Sequence, residues 1–128
     1  MIILDSSALI AVLLAEPDAE AVLEILGGEA AMSAATLVEA LIVSHGRAGA
    51  EGVANLFTLL ADLAVEVVPF TEDQARLAFA AHQRFGKGNH PAGLNFGDCF
   101  SYALAVSRDA PLLFKGEDFA KTDVRRAL

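Results

Sequence analysis

Short unbroken apolar runs, each closed by a polar residue and followed by a helical pattern, constrain this chain more than any other feature. "MIIL" is such a run, and it stops at Asp5. Runs of this kind suit strands buried on both faces of a parallel sheet. "SSALIAVLLAE" then reads as a helix, and "EPDAEAVLEILGG" as a second, with Pro17 in its first turn and Gly27-Gly28 as its stop. "AAMSA" is a weaker strand candidate. Ser33 or Thr36 is placed to cap "ATLVEALIVSHGR", with Gly46 and Gly49 ending that helix before "AEGVANLFTLLADLA" begins another. "VEVVPF" is the clearest strand by its β-branched residues. Thr71 caps "TEDQARLAFAAHQRFG", the loop "GKGNHPAGL" follows, Asn95 opens a helix over "FGDCFSYALAV", and "PLLF" is a last strand. The alternation predicts an α/β fold of one domain over residues 1–128, with a central parallel sheet covered by helices on both faces. In such sheets, sites form beyond the carboxyl ends of the strands.

The formal net charge of −8 narrows the function classes. Proteins that coat nucleic acid neutralise phosphates with excess Lys and Arg, so a general coat is excluded, while a local basic patch beside an acidic centre is not. Any contact with a polyanion would need a metal ion or a basic partner. No charge-free run approaches the ~18 residues of a membrane span. The apolar N-terminus lacks a basic region before it and is interrupted by Asp5, which argues against a signal peptide. The single cysteine, Cys99, has no intrachain partner and sits in an apolar helix, as expected for a buried, inert thiol. The expectation is a soluble, cytoplasmic protein.

Four carboxylates lack local counter-ions. Asp5 follows the first strand and Asp118 the last. Glu39 has Ala35, Thr36, Ile42 and Val43 one turn away, and Asp98 has no basic residue within a turn. Each has an ordinary use as well. Asp5 is placed to cap a helix starting at Ser6 or Ser7, and Glu39 to face solvent. Asp98 sits three residues after Asn95, where an acid is placed to complete a capping box, and Asp118 suits a loop. Gathered in one cleft, the four would repel and raise each other's pKa values unless a divalent cation neutralised them. Oxygen ligands without clustered His or Cys favour Mg²⁺ or Mn²⁺ over zinc; His45, His82 and His90 are scattered.

Together, "MIILDSSALIAVLLAEPDAE", "TLVEALIV", "GLNFGDCFSYALA" and "PLLFKGEDFAKTDV" resemble the PIN-domain ribonucleases, and within them the VapC toxins of bacterial VapBC pairs. The resemblance runs over essentially the whole chain. It implies a single PIN-like domain in which Asp5, Glu39, Asp98 and Asp118 form an acidic quartet. Asp5 and Asp98 would be the main metal ligands, with Glu39 and Asp118 joining directly or through water. Glu117 and Asp123 compete for the fourth place, and the "EDF" ending favours Asp118. Ser7 matches a position where a hydroxyl accompanies the first Asp. The implied chemistry is Mg²⁺- or Mn²⁺-dependent hydrolysis of RNA phosphodiesters, with tRNA or rRNA as targets. Implied partners are a VapB antitoxin lying across the cleft and a second copy of the chain, with residues 37–43 and 53–63 as candidate dimer surfaces. The local cluster His82, Arg84, Lys87 and His90, with Lys115 and Lys121 on the other side, is placed to hold RNA backbone; Ser7, Arg84, Lys87 and Lys115 are the expected substrate contacts.

Two other α/β readings weaken on the residues. A receiver-like phosphoacceptor domain needs its Asp at the end of a central strand, whereas Asp98 opens a helix. A haloacid-dehalogenase-type phosphatase needs a second acid two residues after the first, where this chain has Ser7.

Overall fold

The computed structural model describes residues 1–128. Four short strands, β1 (Ile2–Leu4), β2 (Ala30–Ser33), β3 (Glu66–Val68) and β4 (Leu112–Leu113), form one sheet in the order β3-β2-β1-β4. Every pairing is parallel: Ile3 lies opposite Ala31 on one side and Leu112 on the other, and Met32 lies opposite Val67. Five helices connect and cover the strands: α1 (Ser6–Leu13), α2 (Ala19–Ile25), α3 (Ala34–Asp62), α4 (Glu72–Phe85) and α5 (Phe96–Ser107). A 3-10 turn, Phe119–Lys121, follows β4.

The alternation of side chains along strands only a few residues long divides the core in two. Ile3, Ala31, Val68 and Leu112 point to α4 and α5, where they meet Ala78, Phe85, Tyr102 and Leu104. Leu4, Ala30, Met32 and Leu113 point the other way, to Leu9, Val22, Ala40, Leu56 and Leu60 of α1, α2 and α3. Both faces are therefore covered. Of the central strands β2 is fully buried and β1 is buried except at Ile2, but β3 is an edge strand whose Glu66 and Val67 are exposed, so the most strand-like sequence forms the least buried strand. Beyond β4 the C-terminal tail continues the ladder, with Leu112 N–H donating to Arg125 O and Ala127 N–H to Leu112 O.

Several local expectations shift. The helix after α1 begins at Ala19, not at the turn carrying Pro17. Ser33 caps α3 by accepting Ala35 N–H at 3.1 Å, and Thr36 is buried instead. The helix runs through Gly46 and breaks only at Ala48 and Gly49, where Gly49 has φ 61° and ψ −147°. Gly52 lies just beyond the break, where a Cβ would sit 2.5 Å from Ser44 O, so the two halves of α3 fold closely against each other. Asp5, Thr71 and Asn95 cap α1, α4 and α5.

The strand order reverses between β1 and β4. The chain leaves β1 toward β2 and β3, and returns to place β4 on the opposite side. The crevice outside the carboxyl ends of these two strands is where such sheets place ligands.

Candidate metal centre

Asp5 emerges from β1 at that crevice and is 3% exposed. Its backbone N–H donates to Leu113 O of β4, which fixes the residue between the two strands. Oδ2 accepts from Ser7 N–H at 3.1 Å and from Ser7 Oγ–H at 2.6 Å, so Asp5 does cap α1. Oδ1 accepts from Ser101 Oγ–H at 2.6 Å. Ser7 Oγ in turn accepts Lys115 N–H, tying the segment after β4 to the same corner.

Asp98 stands at the third position of α5 and is 8% exposed. Its N–H donates to Asn95 Oδ1 at 2.8 Å, and its Oδ2 accepts Asn95 N–H at 3.0 Å. The capping box read from the sequence is therefore present, but it does not account for the carboxyl's state. Burial pushes the Asp98 carboxyl up to about 7, against the Asn95 hydrogen bond that favours its charge. The negative charges of Asp5 and Asp118 push it further in the same direction, and Asp118 lies within hydrogen-bonding reach of it. No Lys, Arg or His is among the groups acting on Asp98.

Glu39, on α3, accepts Ser6 Oγ–H at 2.5 Å. Its carboxylate occupies the space a Cβ would take at Gly97, at the positively polarised start of α5 and next to Asp98. Only glycine permits that approach. Asp118 is exposed and begins the 3-10 turn after β4 without capping it. Four separate elements thus bring Asp5, Glu39, Asp98 and Asp118 to one corner. Of the two competitors for the fourth place, Asp123 is committed elsewhere. It accepts Tyr102 O–H at 2.5 Å and pairs with Arg84 at 3.0 Å, and the Tyr102 bond chiefly holds its carboxyl below the usual range. Glu117 is exposed and does not act on Asp98.

The cations are less available than the sequence suggests. Arg84 is held by Asp123 and stacks over the Phe85 ring at 4.7 Å. The Lys115 ammonium pairs with Glu16 and Asp18 rather than pointing at the carboxylates. Lys87 is exposed and enters no ion pair. His90 Nδ1 accepts Ala92 N–H, and His82 lines an apolar groove, so neither faces the corner. Burial, then the Asp98 charge, push the Cys99 thiol up to about 11, which keeps it unreactive as expected.

Three contributors escaped the sequence reading: Ser6, Ser101 and Gly97. Ser101 had a usable signal, since it lies one turn beyond Asp98 on the same face of α5.

The PIN-domain sequence family matches residues 2–125. A "Ribonuclease VapC" of Mycolicibacterium smegmatis is 48% identical over 128 residues, covering 95% of this chain and 96% of the relative. The chain belongs to the PIN-domain ribonucleases, in the VapC group. Its fold agrees. Mycobacterium tuberculosis VapC20, described as a sarcin–ricin loop cleaving toxin, superposes with a TM-score of 0.79 at 16% identity, over 97% of this chain and 96% of that one. A VapBC-5 structure from the same organism gives 0.65 at 26% identity, over 98% and 92%. PIN-domain ribonucleases depend on divalent metal, and the donor set here fits one, being wholly oxygen with no His or Cys aimed at the corner. Among the His, Cys, Asp and Glu side chains, no three close on a common point as they stand. The fit lies in the donor chemistry and the unrelieved carboxylate crowding.

Proposed function

We propose that this chain is the toxin of a VapBC-type pair, and that Asp5, Glu39, Asp98 and Asp118 carry Mg²⁺- or Mn²⁺-dependent cleavage of structured RNA. One observation carries the reading: Asp98 is pushed toward neutrality by burial and then by the charges of Asp5 and Asp118, with no cation acting on it, while Glu39 lies against the start of the same helix. Asp5 and Asp98 would hold the ion, with Glu39 and Asp118 completing its surroundings. When bound, the ion supplies Lewis acidity at the phosphoryl group and neutralises the crowded charge. The chain supplies the rest. Ser7 and Ser101 aim the two oxygens of Asp5, Ser6 aims Glu39, and the crowded Asp98 carboxyl is positioned to shed its proton when the cation arrives.

Ser7 and Lys87 are the favoured RNA contacts. Arg84 and Lys115 take part by exchanging Asp123, or Glu16 and Asp18, for phosphate. The sarcin–ricin loop cleavage named for VapC20 favours rRNA as substrate, tRNA is the other class that the family resemblance implies, and action in the cytoplasm follows from them. With a charge of −8, the chain suits a basic antitoxin segment laid over the carboxylates. No helix is long and apolar enough to cross a membrane.

The test incubates total RNA and purified tRNA with antitoxin-free protein in Mg²⁺, Mn²⁺ or EDTA, beside the Asp5→Ala/Asp98→Ala double variant. Metal-dependent fragments absent with the variant are expected. Intact RNA in every lane, from protein shown to be folded, would overturn the reading in favour of a receiver-like phosphoacceptor.

A further inference from the structure

A serine with no exposed surface has no reason to sit in an apolar helix unless its hydroxyl is used. Ser101 is 0% exposed, and its Oγ lies 2.6 Å from Asp5 Oδ1 and 3.2 Å from Thr36 Oγ1. Counting protons gives the chain of donors a direction. Ser101 has one hydroxyl proton, and an ionised Asp5 can only accept, so that proton goes to Asp5. Thr36, itself 1% exposed, must then be the donor to Ser101. Each donor in such a sequence polarises the next, strengthening the bond at its end.

The placement has a second regularity. Thr36 precedes Glu39 by three residues on α3, and Ser101 follows Asp98 by three on α5, so each hydroxyl lies one turn from an acid of the corner on the same helix face. The two hydroxyls and Asp5 therefore brace β1, α3 and α5 together directly beneath the carboxylates. Packing alone would be served as well by Ala at 101 and Val at 36.

We infer that Thr36 and Ser101 form a directed hydroxyl relay that positions Asp5 for the divalent cation. Neither is a ligand; they act through the Asp5 carboxylate. Without Ser101, Oδ1 loses its only donor while remaining buried, and Asp5 can turn about the single anchor at Ser7. The inference rests on Asp5 being a ligand, as proposed above.

Mn²⁺ titrations of the full chain, followed by the paramagnetic resonance signal of free Mn²⁺, test it without reference to activity. Removing groups that orient a metal ligand typically costs 10–100-fold in affinity, and Ser101→Ala is expected to weaken Mn²⁺ binding by about that range. Thr36→Val keeps the volume but removes the donor, and is expected to weaken binding less than Ser101→Ala. Thr36→Ser, which keeps the hydroxyl, is expected to restore wild-type affinity. Should Ser101→Ala fail to fold, the two Thr36 variants carry the comparison. If Asp5→Asn abolishes Mn²⁺ binding while Ser101→Ala and Thr36→Val bind like wild type, the relay is overturned and the ligand assignment stands. If Asp5→Asn binds Mn²⁺ unchanged, the ligand assignment falls and takes the relay with it. RNA cleavage by the same variants should lose kcat with little change in KM, because the relay touches no part of the substrate.

Discussion

Asp98 does two jobs that pull against each other. In the capping box it gains from being charged; as a buried carboxyl beside two other acids it gains from being neutral, and the second effect wins, since its carboxyl sits at about 7. A folded-state value above the ordinary one means that the folded protein holds this proton more tightly than the unfolded chain does. Its contribution to stability is complete at pH below the ordinary carboxylate range and is lost as pH rises through about 7. In EDTA, the thermal midpoint of wild type should therefore fall between pH of about 4 and about 8 relative to Asp98→Asn, which removes the titration and keeps an acceptor for Asn95. Scanning calorimetry of the two proteins across that range checks this, and equal slopes would refute it. Saturating divalent cation should restore the loss at high pH. The same substitution should abolish RNA cleavage, so stability and activity move in opposite directions at one residue.

At the level of elements, two glycines do what no other residue does in their places. Gly97 leaves room at the start of α5 for the Glu39 carboxylate. In Gly97→Ala the new methyl group would displace that carboxylate, and misplacement by about an ångström at a reacting centre costs on the order of 10²-fold. Cleavage assays should show that loss while circular dichroism stays native. Gly49 breaks α3 in a backbone region closed to residues with a Cβ, so Gly49→Ala should cost about 1–3 kcal/mol in chemical denaturation without altering the metal corner. The caps at Asp5, Thr71 and Asn95 were legible because capping is local chemistry between residues two or three apart. Of the two glycines expected to end α3, Gly49 breaks it and Gly46 does not, because glycine within a helix costs only about 1 kcal/mol and sequence does not say which glycine takes a positive φ. Of the two residues placed to cap this helix, Ser33 does so, while Thr36 is buried against Ser101, a partner 65 residues away that local chemistry does not reveal. Arg84 and Lys115 looked like free cations because Asp123 and Glu16 are equally remote from them in sequence.

For the whole molecule, an acidic protein with two covered sheet faces still exposes an apolar surface. Val38, Ile42, Phe79 and Phe96 are all more than half exposed, and they border adjoining grooves of about 500 and 360 Å³ that share Ala35, Phe96 and Phe100. The first of the two stretches expected to form a dimer surface, residues 37–43, lies on this face. In the second, residues 53–63, Leu56 and Leu60 are buried in the core and Phe57 is exposed. A face of this kind is a contact surface in a protein that stays dispersed. Light scattering after size exclusion should find wild type as a dimer and Ile42→Asp/Phe96→Asp as a folded monomer; a dimeric double variant would assign the contact elsewhere.

The pairing of β1 with β4 also bears on when the protein becomes dangerous. Asp5 is made first, yet the strand beside it, and Asp118 beyond that strand, come from the far end of the sequence. A growing polypeptide on the ribosome carries Asp5 long before Leu113, whose carbonyl accepts its backbone N–H, has been made. On the proposed assignment, the last of the four acids joins the other three only after that final strand has been made.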